Sequence, residues 1–203
     1  MSDNTIQLLK SGTNDESDHL AALHAALVDR ATTESSVDAT YRLVDSPVGA
    51  LLLAATEAGV VRVAFAVEDH DRVLESLGTT VGSRILRGGH RLDPLARELD
   101  DYFAGARRDF DVPIDLRLAH GFRLSVLQHL KEIPYGTTES YGQVAVASGS
   151  PRAVRAVGSA CATNPLPIVV PCHRVVRSDG SLGGYLGGLP AKELLLGLER
   201  GQR

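Results

Sequence analysis

Apolar residues follow two rhythms along this chain. In the first part they form short runs broken by turn residues; further on they recur three and four positions apart. Tyr41–Val44, Ala50–Ala55 and Val60–Phe65 are the short runs, each with the length and composition of a strand. Ser46-Pro47-Val48-Gly49 and Glu57-Ala58-Gly59 separate them, so the spacing predicts an antiparallel meander. Helices are expected over Asp69–Leu77 and from Asp93 to Phe103. The second has Asp93 as N-cap, Pro94 at its first position and an end near Gly105. Phe110–Ile114 reads as extended. Ahead of the meander, Leu20, Leu23, Leu27 and Val28 give Asp18–Arg30 a helical stripe, and the Thr/Ser-rich stretch Ala31–Ala39 reads as a linker.

From His120 the helical rhythm dominates. Phe122–Ile133 carries Phe122, Val126, Leu127 and Leu130 on one side and stops at Pro134-Tyr135-Gly136. Ser140–Ser148 and Arg152–Ala162 are two further helices, separated by Gly149-Ser150-Pro151. Helix, tight glycine-containing turn, helix is the outline of a helix-turn-helix. Asn164-Pro165-Leu166-Pro167 breaks the second of them, and Ile168-Val169-Val170 is a short buried run. Ser178–Gly188 holds five glycines and reads as a loop; Pro190–Glu199 closes as a helix. The expected fold is α/β (α+β) in three parts: an extension over 1–38, a small α/β domain over 39–116, and a helical domain over 117–203.

Composition narrows the function classes. Hydrophobic residues make up 43% of 203, as in a globular protein. No apolar run nears the roughly 18–20 residues of a membrane span, and Met1–Lys10 is polar, unlike a secretory signal. A cytoplasmic protein is expected. Two cysteines, Cys161 and Cys172, are too few for a disulfide framework or a four-cysteine zinc site, so both are read as free thiols and no metal is expected. The net charge of -4 is unevenly spread: residues 1–115 carry 20 acidic and 11 basic side chains, residues 116–203 carry 5 and 10. No Asp or Glu lies between Ser140 and Ser178, whereas Arg152, Arg155, Arg174 and Arg177 do. That stretch is the candidate surface for phosphates, although uneven charge alone is as common without one.

Pro171-Cys172-His173-Arg174 carries the chemistry. A thiol beside a histidine and basic residues can be activated as a thiolate, the nucleophilic form. A bare Cys-His pair is more often an inert core cysteine. Its surroundings change that reading. Val-Pro-Cys-His-Arg-Val-Val at 170–176 resembles the active-site signature of the O6-alkylguanine-DNA alkyltransferases. Ile133-Pro134-Tyr135-Gly136, Ser140-Tyr141-Gly142-Gln143-Val144-Ala145, Pro151–Gly158, Asn164-Pro165, Gly187-Gly188-Leu189 and Lys192-Glu193 fit the family pattern in order. The resemblance is strong over about 120–200 and weak over 40–115.

The resemblance implies a ribonuclease-H-like α/β domain followed by a winged-helix-like domain. It implies direct repair: a single displacement moves the alkyl group of O6-alkylguanine in DNA, with O4-alkylthymine as a secondary candidate, onto Cys172. The thioether is not reversed, so each molecule acts once, without a cofactor. His173 would relay a proton through water toward Glu199, and Tyr141 would donate one to the departing purine. Asn164 would brace the cysteine loop. The Val175 backbone, Tyr185 and Leu186 would line the base pocket. The helix-turn-helix would enter the minor groove of double-stranded DNA as a monomer, with Arg155 filling the gap left by a flipped base. Ala153, Gly158, Ser140 and Ser178 would lie against the DNA. Many members place Asn and Ser on either side of the pocket tyrosine; here Gly184 and Leu186 stand there, which puts tolerance of bulky alkyl groups in doubt. The runner-up is a non-catalytic sensor of alkyl lesions, whose members lack the cysteine present at 172. A Cys-His-Glu hydrolase leaves the helix pair unexplained, and a transcription factor leaves Pro-Cys-His-Arg and the glycine-rich loop unexplained.

Overall fold

The structure, a computed structural model, describes residues 19–201. The readings placed on Met1–Lys10 and on Asp18 lie outside the described residues. Helix α1 covers 19–33. Its expected stripe does not pack: Leu20, Leu23 and Leu27 are exposed, and of the four only Val28 is buried. The reason is the surface it meets. Val28 sits on Gly89, where a Cβ would lie 3.0 Å from its Cγ1, and His24 Nε2 donates to the Arg87 carbonyl at 2.6 Å. A short glycine-flanked segment offers room for one side chain and one hydrogen bond.

Strands β1 (Ala39–Val44), β2 (Leu51–Thr56) and β3 (Gly59–Phe65) form the expected antiparallel meander. Its first turn closes with Gly49 N–H on the Ser46 carbonyl at 2.9 Å, Gly49 having φ +94°. A fourth strand, β4 (Ile85–Arg87), pairs in parallel with β1, giving the order β3-β2-β1-β4. Strand β2 is buried at every position, which explains its unbroken apolar sequence. Leu52 and Ala54 face Val73 and Leu77 of α2 (His70–Thr80), and Leu51, Leu53 and Ala55 face the larger core. Asp69 caps α2. Asp93 is not the N-cap of the next helix: it ends a 3-10 turn over His90–Leu92 and is the first residue of α3 (Asp93–Phe103), where its carboxylate pairs with Arg42 and His90.

Helices α4 (Gly121–Leu130), α5 (Tyr141–Ala147) and α6 (Val154–Ala162) follow, then α7 (Leu189–Glu199). Short strands β5 (Glu139–Ser140) and β6 (Val175–Val176) pair in parallel and tie the start of α5 to the residues after the cysteine. One hydrophobic core runs from Leu51, Phe65 and Leu95 through Tyr102 to Leu127, Val144, Val157 and Leu195. Both halves of the chain therefore bury their apolar faces against each other. Among the described residues no helix is long and apolar enough to cross a membrane.

Candidate functional site

The cysteine is positioned by the break after α6. Asn164, fully buried, sends Nδ2 to the Val170 carbonyl at 2.8 Å and to Cys172 Sγ at 3.2 Å, while its Oδ1 accepts from Leu166 N–H at 3.0 Å. Strand β3 holds the same turn from outside: Val63 N–H donates to the Pro165 carbonyl at 2.8 Å, and Arg62 Nη1 to the Asn164 carbonyl at 3.3 Å. Ile168 turns the chain back with φ +73°, a strained conformation for a β-branched residue. Cys172, His173 and Arg174 then form one turn of 3-10 helix, all buried.

The last turn of α7 brings Glu199 under this turn, also buried. His173 Nε2 lies 2.9 Å from Glu199 Oε1. Arg174 donates to both carboxylate oxygens, through Nε at 3.2 and 3.0 Å and Nη2 at 2.9 Å. Gly136 N–H reaches Oε2 at 3.0 Å, and the Tyr102 hydroxyl reaches Oε1 at 2.7 Å. Burial alone would raise the carboxyl, but the hydrogen bonds from His173 and Arg174 outweigh it and hold Glu199 at about 2. It is a carboxylate at neutral pH. His173 is pushed down by burial, against the upward pull of Glu199, and is neutral. Its Nε2 proton therefore points at Glu199, which leaves Nδ1 unprotonated; Nδ1 has no hydrogen-bond partner among the described residues. Burial pushes the Cys172 thiol up to about 11, while the Asn164 amide and the Lys192 ammonium pull it down. Lys192 is itself fully buried, with Nζ on the Val175 carbonyl at 2.6 Å.

Tyr185, whose ring also packs against His173, borders a cavity of about 440 Å³ lined by Tyr141, Gly158, Ala162, Gly184, Tyr185 and Leu186. Tyr141 opens α5, with its hydroxyl against Gly183: a Cβ there would sit 2.3 Å from that oxygen. Burial raises the Tyr141 hydroxyl above its ordinary range, so it is a proton donor at neutral pH. The Tyr185 ring packs edge-on against His173 at 6.3 Å and Phe65 at 5.6 Å, between the cavity and the histidine.

The expected site residues thus separate into groups. Asn164 with Cys172 and His173 with Glu199 form two buried hydrogen-bonded pairs on adjoining residues, and Tyr141, Gly158, Tyr185 and Leu186 share the cavity. Val175 is not among the cavity-lining residues: it is fully buried, its carbonyl taken by Lys192. Ser140 is the N-cap of α5, accepting from Gln143 N–H at 3.2 Å. Arg155 and Ser178 are exposed, and Ala153 is half-buried at the N-terminal end of α6. Arg174 does not belong to the expected basic surface. It is buried on Glu199, which leaves Arg152, Arg155 and Arg177 exposed. Sequence reasoning missed Tyr102. A tyrosine on the buried face of α3 reads as packing, although a buried hydroxyl also calls for a partner. It also missed the pairing of Arg174, which a charged residue inside a buried apolar run could have signalled.

Comparison with known proteins assigns the chain. Residues 39–116 match the 6-O-methylguanine DNA methyltransferase ribonuclease-like domain, and residues 121–201 match the DNA binding domain of the same family. The chain is 42% identical over 160 residues to the methylated-DNA–protein-cysteine methyltransferase of Mycolicibacterium paratuberculosis, covering 79% of this chain and 92% of that one. It is 41% identical over 162 residues to that of Methanosarcina barkeri, covering 78% and 96%. Among solved structures it resembles the O6-methylguanine methyltransferase of Mycobacterium tuberculosis, with a TM-score of 0.70, 36% identity, and coverage of 81% and 94%. It resembles the Mycobacterium tuberculosis OGT in complex with DNA equally, with a TM-score of 0.70, 38% identity, and coverage of 80% and 94%. With both halves matched in order and identity near 40% over most of its length, the chain belongs to the 6-O-methylguanine DNA methyltransferase family.

Proposed function

We propose that this protein repairs DNA by moving the alkyl group from O6 of an alkylated guanine to Cys172 Sγ in one displacement. The observation that carries the reading is the pairing of buried Cys172 with Asn164 and of the adjoining His173 with Glu199, beside a tyrosine-lined cavity. As the base enters, His173 Nδ1 takes the thiol proton by way of a water, Glu199 steadies the imidazolium, and Lys192 favours the thiolate. Sulfur attacks the alkyl carbon, the S–C bond forms as the C–O bond breaks, and the purine leaves with a proton from the Tyr141 hydroxyl. The product is a thioether, and the protein acts once. No step calls for a metal or cofactor.

The thiol is 2% exposed, so a base must leave the duplex to reach it. Helix α6 carries Arg155 exposed near its N-terminal end, with Gly158 on the cavity wall. Entry of α5 and α6 into the minor groove by a monomer would place Arg155 in the gap. Arg155→Ala should then slow transfer from O6-methylguanine in a duplex by about tenfold or more while leaving transfer from the free base unchanged. Equal losses on both substrates would reject that role. Gly183→Ala tests Tyr141. Its methyl displaces the hydroxyl, so single-turnover transfer should fall at least about tenfold while the melting temperature stays near that of the parent.

The reading as a whole is tested by intact-protein mass after incubation with a duplex bearing O6-methylguanine. One added methyl group that maps to Cys172 and is missing from Cys172→Ala is expected. Tight, lesion-specific binding without any mass change would make the protein a sensor.

A further inference from the structure

We propose that Tyr102, contributed by α3 of the N-terminal half, is a positioning residue for alkyl transfer: its hydroxyl fixes the Glu199 carboxylate that orients His173. The proposal rests on the alkyl-transfer reading above. Tyr102 is fully buried, and its ring is already held by Phe103, Phe110 and Tyr135 at centroid distances of 5.5, 5.3 and 6.1 Å. Phenylalanine would fill that space. The hydroxyl is the part that packing does not require, and it lies 2.7 Å from Glu199 Oε1 and 3.5 Å from His173 Nε2. His173 Nε2 thus faces two oxygens in a water-poor interior. A proton on Nε2 is directed to Glu199, so the other ring nitrogen stays free to take the thiol proton.

The hydroxyl also sets how strongly Glu199 holds a charged histidine. The groups facing the His173–Glu199 pair come from every surrounding element. Arg174 adjoins the histidine, Lys192 lies on α7 with Glu199, Tyr185 lies on the glycine-rich loop, Gly136 N–H follows α4, and Tyr102 lies on α3. Of the side chains donating to the carboxylate, Tyr102 is neutral and stays so, because burial drives its hydroxyl far above the ordinary tyrosine range. It withdraws charge from Glu199 without titrating. Remove that bond and the carboxylate attracts the imidazolium more strongly, so His173 becomes harder to deprotonate and less available as a base on the acid side of its titration.

The experiment is single-turnover methyl transfer from an O6-methylguanine duplex, followed against pH through the histidine range, for the unsubstituted protein, Tyr102→Phe, Glu199→Gln and the double variant. Tyr102→Phe should be slower by about tenfold on the acid side of the rising limb, which moves upward by about one pH unit, and should converge with the unsubstituted protein on the plateau above it. The double variant should behave as Glu199→Gln alone, because Tyr102 acts through that carboxylate. A rate and limb unchanged in Tyr102→Phe would overturn the proposal. So would a loss equal at every pH that tracks a lowered melting temperature, or losses that add in the double variant. Absence of transfer by the unsubstituted protein would sink the alkyl-transfer reading itself.

Discussion

Replacing Arg174 with alanine should lower the unfolding free energy by about 3–5 kcal/mol, the cost of stripping a buried carboxylate of its main cation. The guanidinium gives Glu199 three of its hydrogen bonds and also donates from Nη1 to the Ile133 carbonyl at 2.6 Å. Alanine leaves that carbonyl without this donor and Glu199 with His173, Tyr102 and Gly136. In a chain of this size such a loss lowers Tm by on the order of 10 °C. Lysine should recover only part of it, since an ammonium cannot span both carboxylate oxygens and the carbonyl. Thermal melts of Arg174→Ala and Arg174→Lys beside the parent give the answer. A loss near that of an exposed arginine such as Arg152 would mean the network contributes little to folding.

Asn164 combines a stability effect with a larger one on reactivity. Its amide donates to sulfur and to the Val170 carbonyl, and its oxygen accepts from Leu166 N–H. Asn164→Ala leaves the Leu166 N–H unpaired in the core and should cost about 2–3 kcal/mol. Asn164→Asp is the sharper probe. It keeps the shape and the acceptor for Leu166, but sets an oxygen where the amide N–H faced sulfur at 3.2 Å. As a carboxylate it repels the thiolate; protonated, it consumes energy by being held neutral. Methyl transfer by Asn164→Asp should fall more than about a hundredfold, below that of Asn164→Ala, despite the closer shape. If the two rank the other way, the amide matters for loop shape and not for the charge on sulfur.

These residues also mark what could be read from the sequence. The meander was legible because Pro47, Gly49 and Gly59 punctuate apolar runs of strand length. Strand β4 was not, since three residues between Arg84 and Gly88 hold no pattern and pair only because β1 offers an open edge. The leucines of α1 marked a helix but not its packing, for a related reason: periodicity tells which residues share a face, but not whether anything covers it. Within the site, Cys172 and His173 stood out through the Val-Pro-Cys-His-Arg-Val-Val run around them, since a bare Cys-His pair is more often an inert core cysteine. Glu199 and Tyr141 stood out only through the family resemblance, because a carboxylate at a helix end and a lone tyrosine have ordinary explanations. Tyr102 and the Arg174 pairing lay beyond both, since each depends on a contact across many residues that no local spacing encodes.

The shared core has a consequence for how the protein fails. Leu51 and Phe65 pack in the same cluster as Leu127, Val157 and Cys172, so neither half keeps a finished interior when the other leaves. Denaturant should therefore meet a single cooperative transition, with no plateau at which one half persists. Far-ultraviolet circular dichroism, which follows the helices, and tyrosine absorbance, which follows all five tyrosines from both halves, should trace superimposable curves. A nucleophile usable once is thereby kept from existing in a half-melted form, where an exposed thiolate would be spent on whatever electrophile came by.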